Sequence, residues 1–361
     1  MQGQKSSGRK MKKGSDYMRK LASVQEIWKI EAIEGADNIE LAHVLGWKCV
    51  VKKGQFKPKD KAIYFEIDSF LPVQAEFEFL RKSSYVKSER LGEGFRLRTM
   101  KFRGYLSQGL LLPLSVFTQR HDLSIGDDLT EVLGIRKWEE EERITTEGTI
   151  IGGLPRSIPH TEEVRIQGNP EILKEFRGLD YYISTKLDGA SHSLSLDEEG
   201  FHVTSHNCEY SDDGKNGFYN LVKKHGYMQR MEALVKREGL CSLAIQGELC
   251  APNIQKNRLK LSAPQWYVFT VIFDGKRVGL FQMKKVCDEL GMCRVPIEEV
   301  GTNLPEKYPS IEDLLIRSDG EYPNGGKKEG IVIRPTEPVY SPNINGYLSF
   351  KVVNNKYLLK Q

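Results

Sequence analysis

The sequence predicts an α+β protein of two domains, a small β-barrel followed by a larger domain of antiparallel sheets with flanking helices. Three observations carry that expectation. The chain has 361 residues, more than a single hydrophobic core usually serves. Between Ile27 and Leu133 it reads as short strands only. After a stretch rich in acid, Gly and Pro, strand-like runs alternate with segments of helical spacing.

In the first part, strands are expected at Ile27–Ile33, Ala42–Val51, Ala62–Ile67, Phe95–Met100 and Leu106–Leu112. Each is rich in β-branched and aromatic residues, and Gly35, Gly46, Gly54, Pro58 and Gly104 punctuate them. Five strands in about 110 residues suit a closed barrel of the OB type. Residues 136–160 hold the acidic run Glu139–Glu142, Gly152-Gly153, Pro155 and Pro159, and read as a linker. Beyond it, Pro170–Phe176 suits a short helix and Tyr181–Thr185 a strand. Apolar residues at Phe218, Leu221, Val222, Met228, Met231, Leu234 and Val235 predict one amphipathic helix, with Asp212-Asp213 as its start signal. Further strands are expected at Ser242–Glu248, Trp266–Phe273, Ile331–Arg334 and Tyr347–Val352. The division is therefore 1–17 a basic disordered tail, 18–135 the barrel, 136–160 the linker and 161–361 the second domain.

Charge and cysteine content exclude several classes. Of 53 Lys+Arg and 49 Asp+Glu, the first twenty residues hold seven bases and one acid, leaving 46 bases against 48 acids elsewhere. The globular part is not basic by composition, so nucleic-acid binding has to come from local arrangement. No apolar run approaches the roughly 18 residues of a membrane span, and the first residues lack the apolar core of a secretory signal. Six cysteines without a C-x-x-C pair suggest reduced thiols in an intracellular, cytoplasmic setting. His202, His206 and Cys208 share a strand face but lack a fourth ligand and a zinc spacing.

The chemistry gathers around Lys186-Leu187-Asp188-Gly189, at the end of an apolar strand. Downstream lie Glu248 closing LAIQGE, Phe269 inside WYVFTVIF, Glu329 opening EGIVIR and Lys351 inside LSFKVV. Charges set in apolar runs are costly unless they meet partners. Two lysines and three carboxylates in one pocket would satisfy each other. In that order the set resembles the covalent nucleotidyltransferase superfamily of ATP-dependent ligases and capping enzymes, with SHN at 205–207 as a further short motif. Its DNA ligases and capping enzymes place an OB domain after the last motif, whereas here ten residues follow Lys351 and the candidate barrel comes first. That order, with WKCVVKKGQFKPKDKAIYFEIDSF, RLRTMKFRGYLSQGLLLP and EEVRIQ, resembles the fifth RNA-ligase family.

The resemblance implies an OB-fold barrel joined to an adenylyltransferase domain, and an ATP-dependent RNA ligase acting through lysyl-AMP and RNA-adenylate in RNA repair. It implies Lys186 as nucleophile, with Lys351, Glu329 and Asp188 catalytic. Arg165, Leu187, His206, Asn207, Glu248 and Phe269 would join them around the nucleotide, Phe269 stacking on adenine and Glu248 reaching the ribose. Relatives place Arg where His206 stands. Asp188, Glu248 and Glu329 would hold Mg²⁺ or Mn²⁺ through waters. An unperturbed lysine has a pKa of about 10.4, so a nearby cation and desolvation are expected to lower that of Lys186. Lys101 and Arg103 of the barrel are expected to face pyrophosphate or RNA. The implied partner is RNA with 3′-OH and 5′-phosphate ends, including nicked duplex, acted on by a monomer. A GTP-dependent capping or DNA-ligating enzyme, or a non-catalytic RNA-binding relative, are the competing readings.

Overall fold

The computed structural model describes residues 19–117, 122–138, 148–160 and 163–359. The basic tail and the acidic run Glu139–Glu142 lie outside these residues.

The N-terminal part is an antiparallel sheet curled in the OB manner. Its strands run in the order Leu110–Pro113, Lys61–Phe65, Ala22–Ala32, Ile39–Val44, Trp47–Lys52. The long first strand serves two neighbours: residues 22–26 pair with Lys61–Phe65 and residues 27–32 with Ile39–Val44. An irregularity between Ile27 and Lys29 turns it from one to the other. Two expected strands are each divided. Ala42–Val51 folds back at Leu45-Gly46, because Leu45 takes a left-handed φ of 50°. Leu106–Leu112 is cut by Gly109, whose φ of 113° favours glycine. Phe95–Met100 likewise divides between Gly92–Arg96 and Thr99–Phe102.

The second part has two sheets. One holds, in order, Ile150–Gly152, Glu209–Tyr210, Gly200–Thr204, Ala190–Asp197, Leu243–Cys250, Gln265–Phe273 and Lys276–Arg277. Helices Gly217–His225, Tyr227–Glu238 and Leu280–Leu290 pack on it around Phe218, Met231, Leu243, Trp266 and Val286. The single amphipathic helix expected here is two, broken at Gly226 with φ 62°. Asn216, not Asp212-Asp213, caps it, accepting from the Tyr219 amide at 2.8 Å. The other sheet runs Val164–Arg165, Phe350–Val353, Gly330–Pro335, Asp180–Lys186, Ile297–Thr302. Its far face buries Phe176, Ile183, Leu304, Ile333 and Phe350.

The two parts share a seam. The amide of Gly46 donates to the Gln167 carbonyl at 2.8 Å, and a Cβ on Gly46 would sit 2.5 Å from Ile311 and 2.8 Å from Gln167. Val353, Tyr357 and Leu358 belong to the same buried cluster as Trp47, Val51 and Tyr64 of the barrel. No helix among the described residues is long and apolar enough to cross a membrane.

Candidate active site

The K-L-D-G turn leaves the end of an interior strand of one sheet and enters the other, so both sheets converge on it. Lys186 ends the strand Asp180–Lys186, and its Nζ donates to Glu329 Oε2 at 2.8 Å. Glu329 precedes the neighbouring strand, where Lys186 pairs with Gly330. The Tyr322 hydroxyl locks this pair: it donates to the Lys186 carbonyl at 2.8 Å and accepts from the Glu329 amide at 3.1 Å. The Gly189 amide donates to Glu248 Oε1 at 3.1 Å. A side chain at 189 would collide with the Leu249 carbonyl at 2.5 Å and Glu248 Cγ at 2.8 Å.

A cavity of about 210 Å³ opens beside the lysine, lined among others by Lys186, Leu187, His206, Glu248, Phe269 and Lys351. Arg334 braces its wall. This buried guanidinium donates to the Phe269 carbonyl at 2.6 Å, Thr270 at 3.1 Å and Glu163 at 2.5 Å. A second cavity of about 260 Å³ spans the seam, where Lys351 and Arg165 meet Arg19, Lys20 and Lys137. Arg165 is held there by Asp68 of the barrel at 2.6 Å. Its Nε and Nη1 are buried without a hydrogen-bond partner.

The electrostatics separate the acids. Burial alone would lower the Lys186 pKa, but Glu329, Glu248 and Asp188 outweigh it and hold the ammonium above the usual lysine value. Three carboxylates thus face one amine. Withdrawal from water, with Glu329 and Asp188 nearby, pushes Glu248 up to about 7. That excess of negative charge suits a hard cation, which would relieve it. Asp188 Oδ2 accepts from Arg258 Nε at 2.9 Å and Oδ1 from the Tyr357 hydroxyl at 2.8 Å. Among the described residues no three His, Cys, Asp or Glu groups converge to hold a metal by themselves.

Of the residues singled out in the sequence, Lys186, Leu187, His206, Glu248, Phe269 and Lys351 line one cavity, and Glu329 pairs with its lysine. Asn207 is exposed and lines neither cavity. Lys101 and Arg103 sit on an exposed hairpin and do not line them either. His202 lies between Glu209 at 2.7 Å and Asp197 at 3.1 Å, not in a metal group. Sequence reasoning missed Tyr322, Arg334, Glu163, Arg258 and Tyr357. Only Arg334, a charge inside the apolar run GIVIRP, left a signal.

A barrel of OB type set before two antiparallel sheets that share a lysine–carboxylate pocket defines a nucleotidyl-transferring ligase. Family profiles agree: one described as an OB-fold domain matches residues 21–114 and one described as RNA ligase matches 179–353. No curated protein matches the chain. Among solved structures, the Naegleria gruberi RNA ligase with PPi is 31% identical, with a TM-score of 0.84 over 95% of this chain and 99% of that one. A lysine-to-alanine variant of the same ligase, solved with ATP and Mn, gives 31% identity and 0.84 over 95% and 98%. A glutamate-to-alanine variant with AMP and Mn gives the same identity and score over 95% and 99%. The chain belongs to the RNA ligase family, in the branch whose OB domain comes first.

Proposed function

We propose that this enzyme is an ATP-dependent RNA ligase that seals 3′-OH to 5′-phosphate ends with Lys186 as its nucleophile. The observation that carries the reading is the pairing of Lys186 with Glu329 at the mouth of a cavity walled by Phe269 and Lys351. In the first step Nζ, deprotonated, attacks the α-phosphorus of ATP. A P–N bond forms, the P–O bond to pyrophosphate breaks, and the electron pair leaves with pyrophosphate. The 5′-phosphate oxygen of RNA then displaces lysine from the AMP phosphorus. Finally the 3′-OH attacks that 5′-phosphorus, loses its proton and expels AMP.

Each residue has a part in this scheme. Phe269 stacks on adenine, with Arg334 keeping the strand beneath it in place. Glu248 reaches the ribose, and Leu187 and His206 close the walls. Lys351 and Arg165 contact phosphate across the seam, where a guanidinium fork suits an oxyanion. Glu248 and Glu329 would hold Mg²⁺ or Mn²⁺, with Asp188 beside them. That cation, when bound, offsets the carboxylates and so lets Lys186 give up its proton at neutral pH. The relatives crystallised with ATP, AMP and Mn support this assignment. The division into tail (1–17), OB domain (18–135), linker (136–160) and ligase domain (161–361) is part of the same reading, as are a monomeric enzyme, a cytoplasmic setting and nicked duplex as a substrate.

Incubation with radiolabelled ATP and a divalent cation tests it. The parent protein is expected to carry a covalent AMP, and Lys186→Ala none. Label retained at another lysine, or GTP used in preference to ATP, would overturn the assignment. Sealing of nicks with RNA ends but not of all-DNA nicks is the expected companion result.

A further inference from the structure

Asp188 lies two residues from the proposed nucleophile, yet both its oxygens are spoken for by elements remote in sequence. Tyr357 and Arg258 also hold each other, the guanidinium carbon standing 4.5 Å from the phenol ring centre. Arg258 comes from a tightly set loop. Gln255, Asn257 and Lys260 take φ of 51°, 41° and 52° without being glycine, conformations that persist only when the surroundings impose them. Asn257 clamps the loop by bonding both the amide and the carbonyl of Leu261.

Tyr357 faces two ways. Its hydroxyl reaches Asp188, while its ring, with Leu358 and Val353, is buried in the cluster that contains Trp47 and Tyr64. Gln108 of the barrel donates to Asn355 Oδ1 at 3.1 Å. One residue earlier, the Asn354 amide donates to the Glu329 carbonyl at 2.8 Å. Residues 354–358 therefore touch the barrel on one side and both Asp188 and Glu329 on the other.

We infer that Tyr357 is a positioning residue for lysine adenylylation: through its bond to Asp188 it passes the seating of the OB barrel to the Lys186 turn. This rests on the function proposed above. Without the hydroxyl, Asp188 keeps Arg258 but loses its tie to the barrel side, and the turn that aims Nζ loosens. None of Asp188, Arg258 and Tyr357 lines the cavity beside Lys186, so ATP binding is expected to be spared.

The full-length chain with Tyr357→Phe tests this, since only the hydroxyl is removed. In lysyl-AMP formation with labelled ATP and Mg²⁺, the maximal rate is expected to fall about tenfold, the worth of one charge-assisted hydrogen bond. KM for ATP should stay within about twofold, and the melting temperature should be nearly unchanged. Arg258→Lys, on the other oxygen, should show the same split. Lys356→Ala, on the same helix but paired with Asp319 at the surface, should behave as the parent. A Tyr357→Phe rate within about twofold of the parent, or a loss confined to KM, overturns the inference alone. A parent protein that forms no adduct overturns the function reading and this inference with it.

Discussion

Glu248 is the residue of the pocket whose charge state is most finely balanced near neutral pH. Its pKa near 7 lies above the value of about 4.3 expected in an unfolded chain. The folded protein thus binds the extra proton between those values, and stability falls as pH rises through that window. Glu248→Gln removes the penalty. At pH 8 the variant is expected to be more stable than the parent by roughly 1–2 kcal/mol, with the two converging by pH 5; thermal melts across pH would show it. A divalent cation should narrow the gap at pH 8, because it supplies the countercharge that the substitution makes unnecessary. The same variant should lose adenylylation, so stability and activity move in opposite directions.

At the scale of elements, the strands Ala190–Asp197, Gly200–Thr204 and Glu209–Tyr210 are tied by His202. Both its ring nitrogens meet carboxylates, Asp197 and Glu209, and Asp197 also accepts from Ser157 at 2.6 Å. Two donors on one imidazole require the protonated ring. Despite burial, the two acids raise its pKa, so its contribution is complete below about 6.5 and fades as pH climbs through the higher folded value. His202→Gln should accordingly destabilise the protein at pH 6 and less so at pH 9, as followed by urea unfolding. The turn between the last two of these strands carries His206, which makes nucleotide affinity a second readout.

Such ties explain what the sequence made legible. Lys186, the acids around it and the aromatic strand stand out because charges in apolar runs are locally costly, whatever the topology. Tyr322, Arg258 and Tyr357 act through distant contacts, 136 residues away in the bond of Tyr322 to Lys186, and 70 and 169 in the bonds of Arg258 and Tyr357 to Asp188, and nothing in their own neighbourhoods marks them. The barrel was legible as strands, but the fold-back inside Ala42–Val51 was not: Gly46 punctuates it, yet the left-handed residue is Leu45, a type that gives no turn signal. The long helix divides at Gly226 for the opposite reason: apolar periodicity runs on across the break.

For the whole molecule, the seam between barrel and catalytic sheets depends on charge as well as on packing. Asp68 is half-buried between Arg165 at 2.6 Å and Arg19 at 3.5 Å, and with Arg96 nearby they hold its carboxyl below the usual range against the effect of burial. Asp68→Ala would take away the carboxylate that pairs with Arg165 at 2.6 Å. A loss of about 3 kcal/mol or more is expected, as for other buried pairs deprived of one member, measurable by chemical denaturation at neutral pH. Added phosphate or ATP should restore part of it, since the seam cavity would then contain an anion again.

The mixed cluster of Trp47, Tyr64, Val353, Tyr357 and Leu358 also bears on how the protein is made. Synthesis delivers the last of the barrel strands, Leu110–Pro113, 240 residues before the segment 353–358 that completes their core. A nascent barrel must wait with apolar surface uncovered, a period in which chaperones have something to hold. The segment that covers it is the one that meets Asp188 and Glu329. A chain interrupted before Val353 would therefore lack both the finished barrel and the finished pocket, so that translation has to run almost to Leu358 before the first ATP can be used.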